Sequence, residues 1–161
     1  MASSSPSTAG RQAATVDDRS PRRMTWAFDL DGCLVDSLTA TSLRPLAQEI
    51  LERLSAAEHT VVLWSAGGDE HARRVAASHG VSDLVDAFYD KGGRDGWGRW
   101  LVEHLDAGHR PDVCVDDRPE ETPSGVSVIG VSPYIAPDGH DTGLRPVLEA
   151  VRRAVDPRHA A

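Results

Sequence analysis

Trp26-Ala27-Phe28-Asp29-Leu30-Asp31-Gly32-Cys33-Leu34-Val35-Asp36-Ser37 is an apolar run that ends abruptly in two carboxylates one residue apart, with a glycine behind them. Met24 to Phe28 has bulky residues and no turn signal inside it, which predicts a buried strand. Gly32 permits a turn that a residue with a side chain would resist. Asp29 and Asp31 therefore stand at the carboxyl end of a strand, the edge at which open α/β sheets bind ligands. Two aspartates this close repel, so a cation or a proton must accompany them. Two readings are open on this stretch alone. Asp29 takes a divalent metal while Asp31 keeps a proton and works as an acid, or the segment is a solvated Asp-x-Asp-Gly turn.

The rest of the chain sets the bounds. It has 161 residues, a net charge of −8 and 40% hydrophobic content, which suits one globular domain. The acidic balance argues against a general nucleic-acid binder, which would carry a basic face. It does not exclude a phosphorylated ligand, because a local metal and lysine can reverse the field. Two cysteines, Cys33 and Cys114, with no Cys/His cluster at zinc spacing, imply a reducing cytoplasm rather than a disulfide framework. No apolar run is long enough to span a membrane, and the N-terminus lacks the apolar core of a secretion signal.

Residues 1–23 are rich in Ser, Ala, Pro and Arg and predict a disordered tail, leaving 24–157 as a single domain. Leu38 to Leu43 reads as a turn or flap. A helix follows from about Arg44 to Ala57, with Pro45 in its first turn and Leu46, Ile50, Leu51 and Leu54 on one face. Thr60 to Ser65 is a second buried strand. Asp69 is the expected N-cap of a helix from Glu70 to His79 that stops at Gly80. Further strands are expected over Leu84–Tyr89, Asp112–Asp117 and Val126–Val131. Helices are expected over Trp97–Leu105 and Leu144–Val155, and the loop Ser132–Thr142 precedes the last one.

Alternating strands and helices imply a parallel sheet with right-handed crossovers. Polar residues of one kind close each of the first four strands: Asp29 and Asp31, Ser65, Lys91, then Asp116 and Asp117. In a parallel sheet those ends converge on one edge, so four scattered signals become one site. Lys91 is the only lysine in a chain that otherwise uses arginine. A compact ammonium and a planar guanidinium are not interchangeable at a tight site, which favours a functional lysine over a chance surface one.

In that order, Asp29-Leu30-Asp31-Gly32-Cys33, Ser65, Lys91 and Asp116-Asp117 resemble the four motifs of the haloacid dehalogenase superfamily, in its phosphatase branch. The match runs from about Thr25 to Val131. It departs from the family at Cys33, where threonine is commonest. The resemblance implies a Rossmann-like, three-layer α/β fold with a parallel sheet of about five strands and helices on both faces. It implies Mg²⁺, held by Asp29, Asp116 or Asp117 and the backbone carbonyl of Asp31. It implies catalytic roles for Asp29, Asp31, Ser65 and Lys91, and a phosphate-binding set of Ser65, Ala66 and Lys91.

The chemistry follows from the residue types. Asp29 can attack phosphorus to form an aspartyl-phosphate. Asp31 can protonate the leaving alkoxide and then deprotonate the hydrolytic water. Ser65 can donate to a phosphoryl oxygen, and Lys91 can neutralise the transferring group. Dehalogenases need no proton on a departing halide, so Asp31 points to phosphoryl transfer. Asp29 and Ser65 lie 36 positions apart, and Ser65 and Lys91 lie 26 apart. Neither gap can hold the cap domain that many relatives insert. By the resemblance, capless members often act on large substrates or borrow a lid from a partner subunit, so phosphorylated small molecules, phosphorylated macromolecules and a homo-oligomer all stay open.

Rival readings are a nucleotide or polynucleotide-end phosphatase, and a catalytically silent regulator that keeps the fold. The net negative charge weakens the polynucleotide version, and the intact acidic set weighs against the second. Cys33 and Cys114 are not cysteine-phosphatase nucleophiles, since Thr39 and Glu120 occupy the positions where the phosphate loop needs arginine. A phosphorelay receiver does not fit, because its phosphorylated aspartate follows a later strand. The seven histidines show no ligand spacing; His140 could reach the site from its loop, which is the weaker reading of that residue.

Overall fold

A computed structural model describes residues 22–92 and 105–156. Five strands, β1 (Thr25–Asp29), β2 (Thr60–Ser65), β3 (Ala87–Asp90), β4 (Val113–Asp116) and β5 (Ser127–Gly130), form one sheet in the order β3-β2-β1-β4-β5. Every pairing is parallel. The helices are α1 (Ala47–Ala56), α2 (Asp69–Ser78) and α3 (Arg145–Val155). This is the expected Rossmann-like α/β fold with a five-stranded parallel sheet; among the described residues α1, α2 and α3 all pack on one face of it, and the expected helical layer on the other face falls outside the described residues. The predicted helix over Trp97–Leu105 falls outside the described residues except for Leu105, and the predicted tail lies outside them up to residue 21.

Side chains alternate across the sheet because successive residues of a strand face opposite ways. Trp26 and Phe28 of β1, Val61 and Leu63 of β2 and Val113 and Val115 of β4 share one core with α1, α2 and α3. Ala27, Val62, Trp64 and Cys114 face the other way and pack with Leu105. β1 is central and buried over all five residues. From it the chain builds outward through β2 and β3, then crosses to the other side of β1 for β4 and β5. The strand order thus reverses between β1 and β4, and the ends of those two strands flank the crevice where such sheets bind ligands.

Several boundaries differ from expectation. The first helix begins at Ala47, not Arg44, because Leu46 takes a left-handed backbone (φ 74°). Pro45 therefore precedes the helix instead of opening it. Arg44 explains the delay. It is fully buried and its backbone N–H donates to Leu34 O, so the chain is anchored one step before it can turn into the helix. Gly68, not Asp69, caps α2, and Asp69 is its first residue. β3 starts at Ala87, since Ser82–Leu84 forms a single 3-10 turn.

The segment after β1 folds on itself. Cys33, Leu34 and Val35 all donate backbone N–H groups to Leu30 O, and Val35 bridges both Asp31 and Leu43. Asp36 organises the flap behind it. Its buried carboxylate accepts from Thr39 N and Thr39 Oγ1 at 2.7 Å and from Ser42 N at 2.9 Å. Burial works to raise its pKa, but these bonds outweigh it and the pKa is lowered. The flap is tied to the Ser132–Thr142 loop: Ser37 N donates to Tyr134 O, and Leu38 N donates to Ile135 O. Arg44 fastens the same loop from beneath. Its Nε and one terminal nitrogen grip the two oxygens of Asp141 at 2.6 and 3.0 Å, and the guanidinium lies 5.2 Å from the centre of the Tyr134 ring.

Candidate active site

Asp29 ends β1, Asp116 ends β4, and both point to the sheet face that carries Trp64 and Cys114. Lys91, the residue after β3, is drawn to the same place by its backbone N–H, which donates to Ser65 O at 3.0 Å. Its Nζ lies 2.7 Å from Asp29 Oδ1 and 2.7 Å from Asp116 Oδ2, and 5.3 Å from the centre of the Trp64 ring. The Lys91 side chain is 1% exposed, so the ammonium depends on these carboxylates in place of water. Asp116 Oδ1 is occupied as well, accepting from Arg118 N at 2.9 Å.

One ammonium does not balance this cluster. Asp29, Asp116 and Asp117 offer oxygens that all lie within 4.8 Å of one another. Among the described residues, Asp29 Oδ2 and Asp117 Oδ1 are buried with no hydrogen-bond partner. The pKa of Asp29 is raised from 3.8 to about 7, first by burial and then by the charges of Asp116 and Asp117, against the pull of Lys91. Asp117 is raised too, by burial and by Asp116. Burial works to lower Lys91, but Asp29 and Asp116 together outweigh it and its pKa is raised. The two directions are compatible, because the lysine answers to two carboxylates while Asp29 answers to one ammonium and two like charges. Orphaned, buried oxygens from several carboxylates are costly alone. They are the donor set a hard divalent cation takes.

Gly32 lets this cluster close. Its φ is +85°, and a Cβ there would come within 2.8 Å of Asp117 Oδ2. Only glycine combines that backbone with that approach.

Asp31 stands apart from the three carboxylates. Its Oδ2 accepts from Ser65 Oγ at 3.3 Å, and its two oxygens lie 3.1 and 3.0 Å from His71 Nε2. The Asp31 carboxyl group, expected among the metal ligands, is thus not one of the three that crowd together. The Ser65 side chain is fully buried, accepts from Gly67 N at 3.0 Å, and faces the Asp31 carboxyl group. Ala66 is exposed at the rim beside it. Cys33 is buried with its Sγ against Val115 O at 3.7 Å, and burial first, then the nearby acids, pushes its thiol well above the usual range. Burial likewise raises Cys114 to about 12, so neither thiol is poised to ionise.

The sequence reading missed His71 and gave Arg44 no role. His71 sits in the first turn of α2, six residues after Ser65, and no metal or catalytic spacing marks it. The only local signal is Gly67-Gly68, which allows a side chain to lie across the loop. His140 is exposed, and its backbone N–H donates to Asp138 Oδ1.

Strand order and site geometry define an α/β protein with an acidic, lysine-bridged cluster at its switch point. No family model matches the chain, and no curated protein matches it. Solved structures share the fold. An uncharacterized protein from Listeria monocytogenes serotype 4b is similar at 16% identity and a TM-score of 0.56, over 81% of this chain and 98% of that one. The core domain of a protein provisionally named a phosphoglycolate phosphatase, from Streptococcus pneumoniae TIGR4, is similar at 14% identity and a TM-score of 0.50, over 81% of this chain and 96% of that one. At these identities the likeness is one of fold. Among the described residues, no helix is long and apolar enough to cross a membrane.

Proposed function

We propose that the chain is a phosphomonoester hydrolase of the haloacid dehalogenase superfamily, without a cap domain and dependent on Mg²⁺. The observation that supports this best is the Lys91 bridge between Asp29 and Asp116, with unpartnered oxygens of Asp29 and Asp117 beside it. Asp29, Asp117 and Asp116 would hold the cation. Bound there, Mg²⁺ would offset the charge of a phosphate dianion as a carboxylate approaches it. Asp29 attacks phosphorus, and its oxygen forms a bond as the ester oxygen leaves. Asp31 gives that oxygen its proton and later takes one from the hydrolytic water. Lys91 keeps Asp29 oriented and ionised and opposes the charge on the transferring group.

The segments joining β1 to β2 and β2 to β3 hold one α-helix each, which favours an open mouth and a substrate whose bulk stays outside. The substrate is a phosphate ester of a small molecule or of a macromolecule, met in a reducing cytoplasm. Hydrolysis of a generic aryl phosphate with and without Mg²⁺, followed by a panel of phosphorylated metabolites, nucleotides and phosphopeptides, tests the reading. Asp29→Asn should abolish turnover, since an amide does not attack phosphorus as a carboxylate does. Full activity in that variant would remove the covalent mechanism.

A further inference from the structure

We propose that His71 is a positioning residue, holding the Asp31 carboxyl group toward the leaving group. The inference rests on the reading of Asp31 as the proton donor. His71 Nε2 lies 3.1 Å from Asp31 Oδ1 and 3.0 Å from Oδ2, so the ring spans the carboxyl group. The other ring nitrogen, Nδ1, faces the Arg74 guanidinium at 3.5 Å. A guanidinium can only donate, so this contact favours the tautomer with Nδ1 as acceptor and the hydrogen on Nε2, facing Asp31. Ser65 Oγ adds a second donor to Oδ2 at 3.3 Å. The one Nε2–H is shared between the two oxygens and Oδ2 also takes Ser65 Oγ, which leaves Oδ1 the less engaged of the two and the one available to the leaving group.

The backbone is shaped for this contact. A Cβ on Gly67 would come within 2.8 Å of His71 Cδ2 and 3.2 Å of Cγ, so the bare glycine makes room for the imidazole. Asp31 and His71 side chains are both partly exposed, at 34% and 25%. A carboxyl group that is reachable from outside has other rotamers open to it, and the imidazole selects one. A misplacement of about 1 Å at a reacting group can cost roughly a hundredfold.

The test is leaving-group selectivity in wild type, His71→Ala, His71→Gln and Gly67→Ala, each assayed with Mg²⁺ on an alkyl phosphate and on an activated aryl phosphate. His71→Ala should lose about ten- to a hundredfold in kcat on the alkyl ester, and much less on the aryl ester, whose leaving group needs little protonation. His71→Gln offers a side-chain N–H at similar reach and should recover most of the loss. Gly67→Ala should reproduce the selectivity change with the histidine still present. A second readout needs no turnover: ¹⁵N spectra of the imidazole should show the hydrogen on Nε2 in wild type. Equal loss on both ester classes, no loss at all, or a ring protonated on Nδ1 alone would overturn the role of His71 while an active wild type keeps the phosphatase reading. Absence of any Mg²⁺-dependent hydrolysis by wild type would sink that reading and this role with it.

Discussion

Lys91→Met removes one cation from between two buried carboxylates while keeping an unbranched chain of similar length. In the folded protein Nζ lies 2.7 Å from Asp29 Oδ1 and 2.7 Å from Asp116 Oδ2, and the three side chains are 1%, 6% and 1% exposed. Breaking a buried pair by removing one partner costs about 3–5 kcal/mol, because the remaining charge is left uncompensated. For a chain of this size that is a fall in Tm of roughly 6–20 °C. A proton can relieve part of the cost. The folded pKa of Asp29 is raised to about 7, above the ordinary 3.8. A carboxyl group raised in this way contributes stability that is present below about pH 4 and is lost as pH rises through about 7. Removing Lys91 removes the largest influence that lowers this pKa, so the variant's Asp29 holds its proton to still higher pH. The deficit of the variant should therefore be smaller near about pH 5, where Asp116 alone loses its partner, and largest near about pH 8. Denaturant unfolding of both proteins in EDTA at several pH values measures it. A deficit below about 1 kcal/mol at the higher pH, or one that does not grow with pH, would refute the view of a desolvated, lysine-dependent cluster.

If Asp29 holds Mg²⁺ as proposed, the ion and the proton compete for it, so the Tm gain on adding Mg²⁺ should grow as pH rises from about 5 to about 8; a gain independent of pH in thermal-shift measurements would place the ion elsewhere. Asp141→Ala takes the ion partner from the fully buried Arg44 guanidinium and should cost about 3–5 kcal/mol by denaturant unfolding; near-neutral stability would show that Cys33 O and Ser132 Oγ, which the guanidinium also donates to at 3.3 and 3.2 Å, suffice for it. Gly32→Ala forces a side chain into a left-handed turn and against Asp117 Oδ2. It should cost about 1–2 kcal/mol in backbone strain and weaken the Mg²⁺-dependent Tm gain, and an unchanged gain would separate Gly32 from the acidic cluster.

The sequence by itself determined the elements that rest on local patterns. The apolar run before Asp29, the turn at Gly32 and the run Thr60–Ser65 each mark a strand end, because burial and backbone freedom act within a few residues. Alternation of strands and helices then implied a parallel sheet, and with it the convergence of Asp29, Ser65, Lys91 and Asp116 on one edge. Short or strained elements were less legible. β3 is only four residues long, and the late start of α1 depends on Leu46 holding a left-handed backbone that no propensity favours. Pairings through space were decided by the tertiary structure alone. Arg44 reaches Asp141 across 97 positions. In sequence it looks like an ordinary surface arginine, the usual fate of that residue. His71 meets Asp31 only because α2 leaves β2 beside β1, and the three acids crowd because the strand order reverses between β1 and β4. Spacing along a chain carries the period of a helix or a strand; it does not carry which charges the closed sheet will strip of water and press together, and that desolvation sets the chemistry of this site.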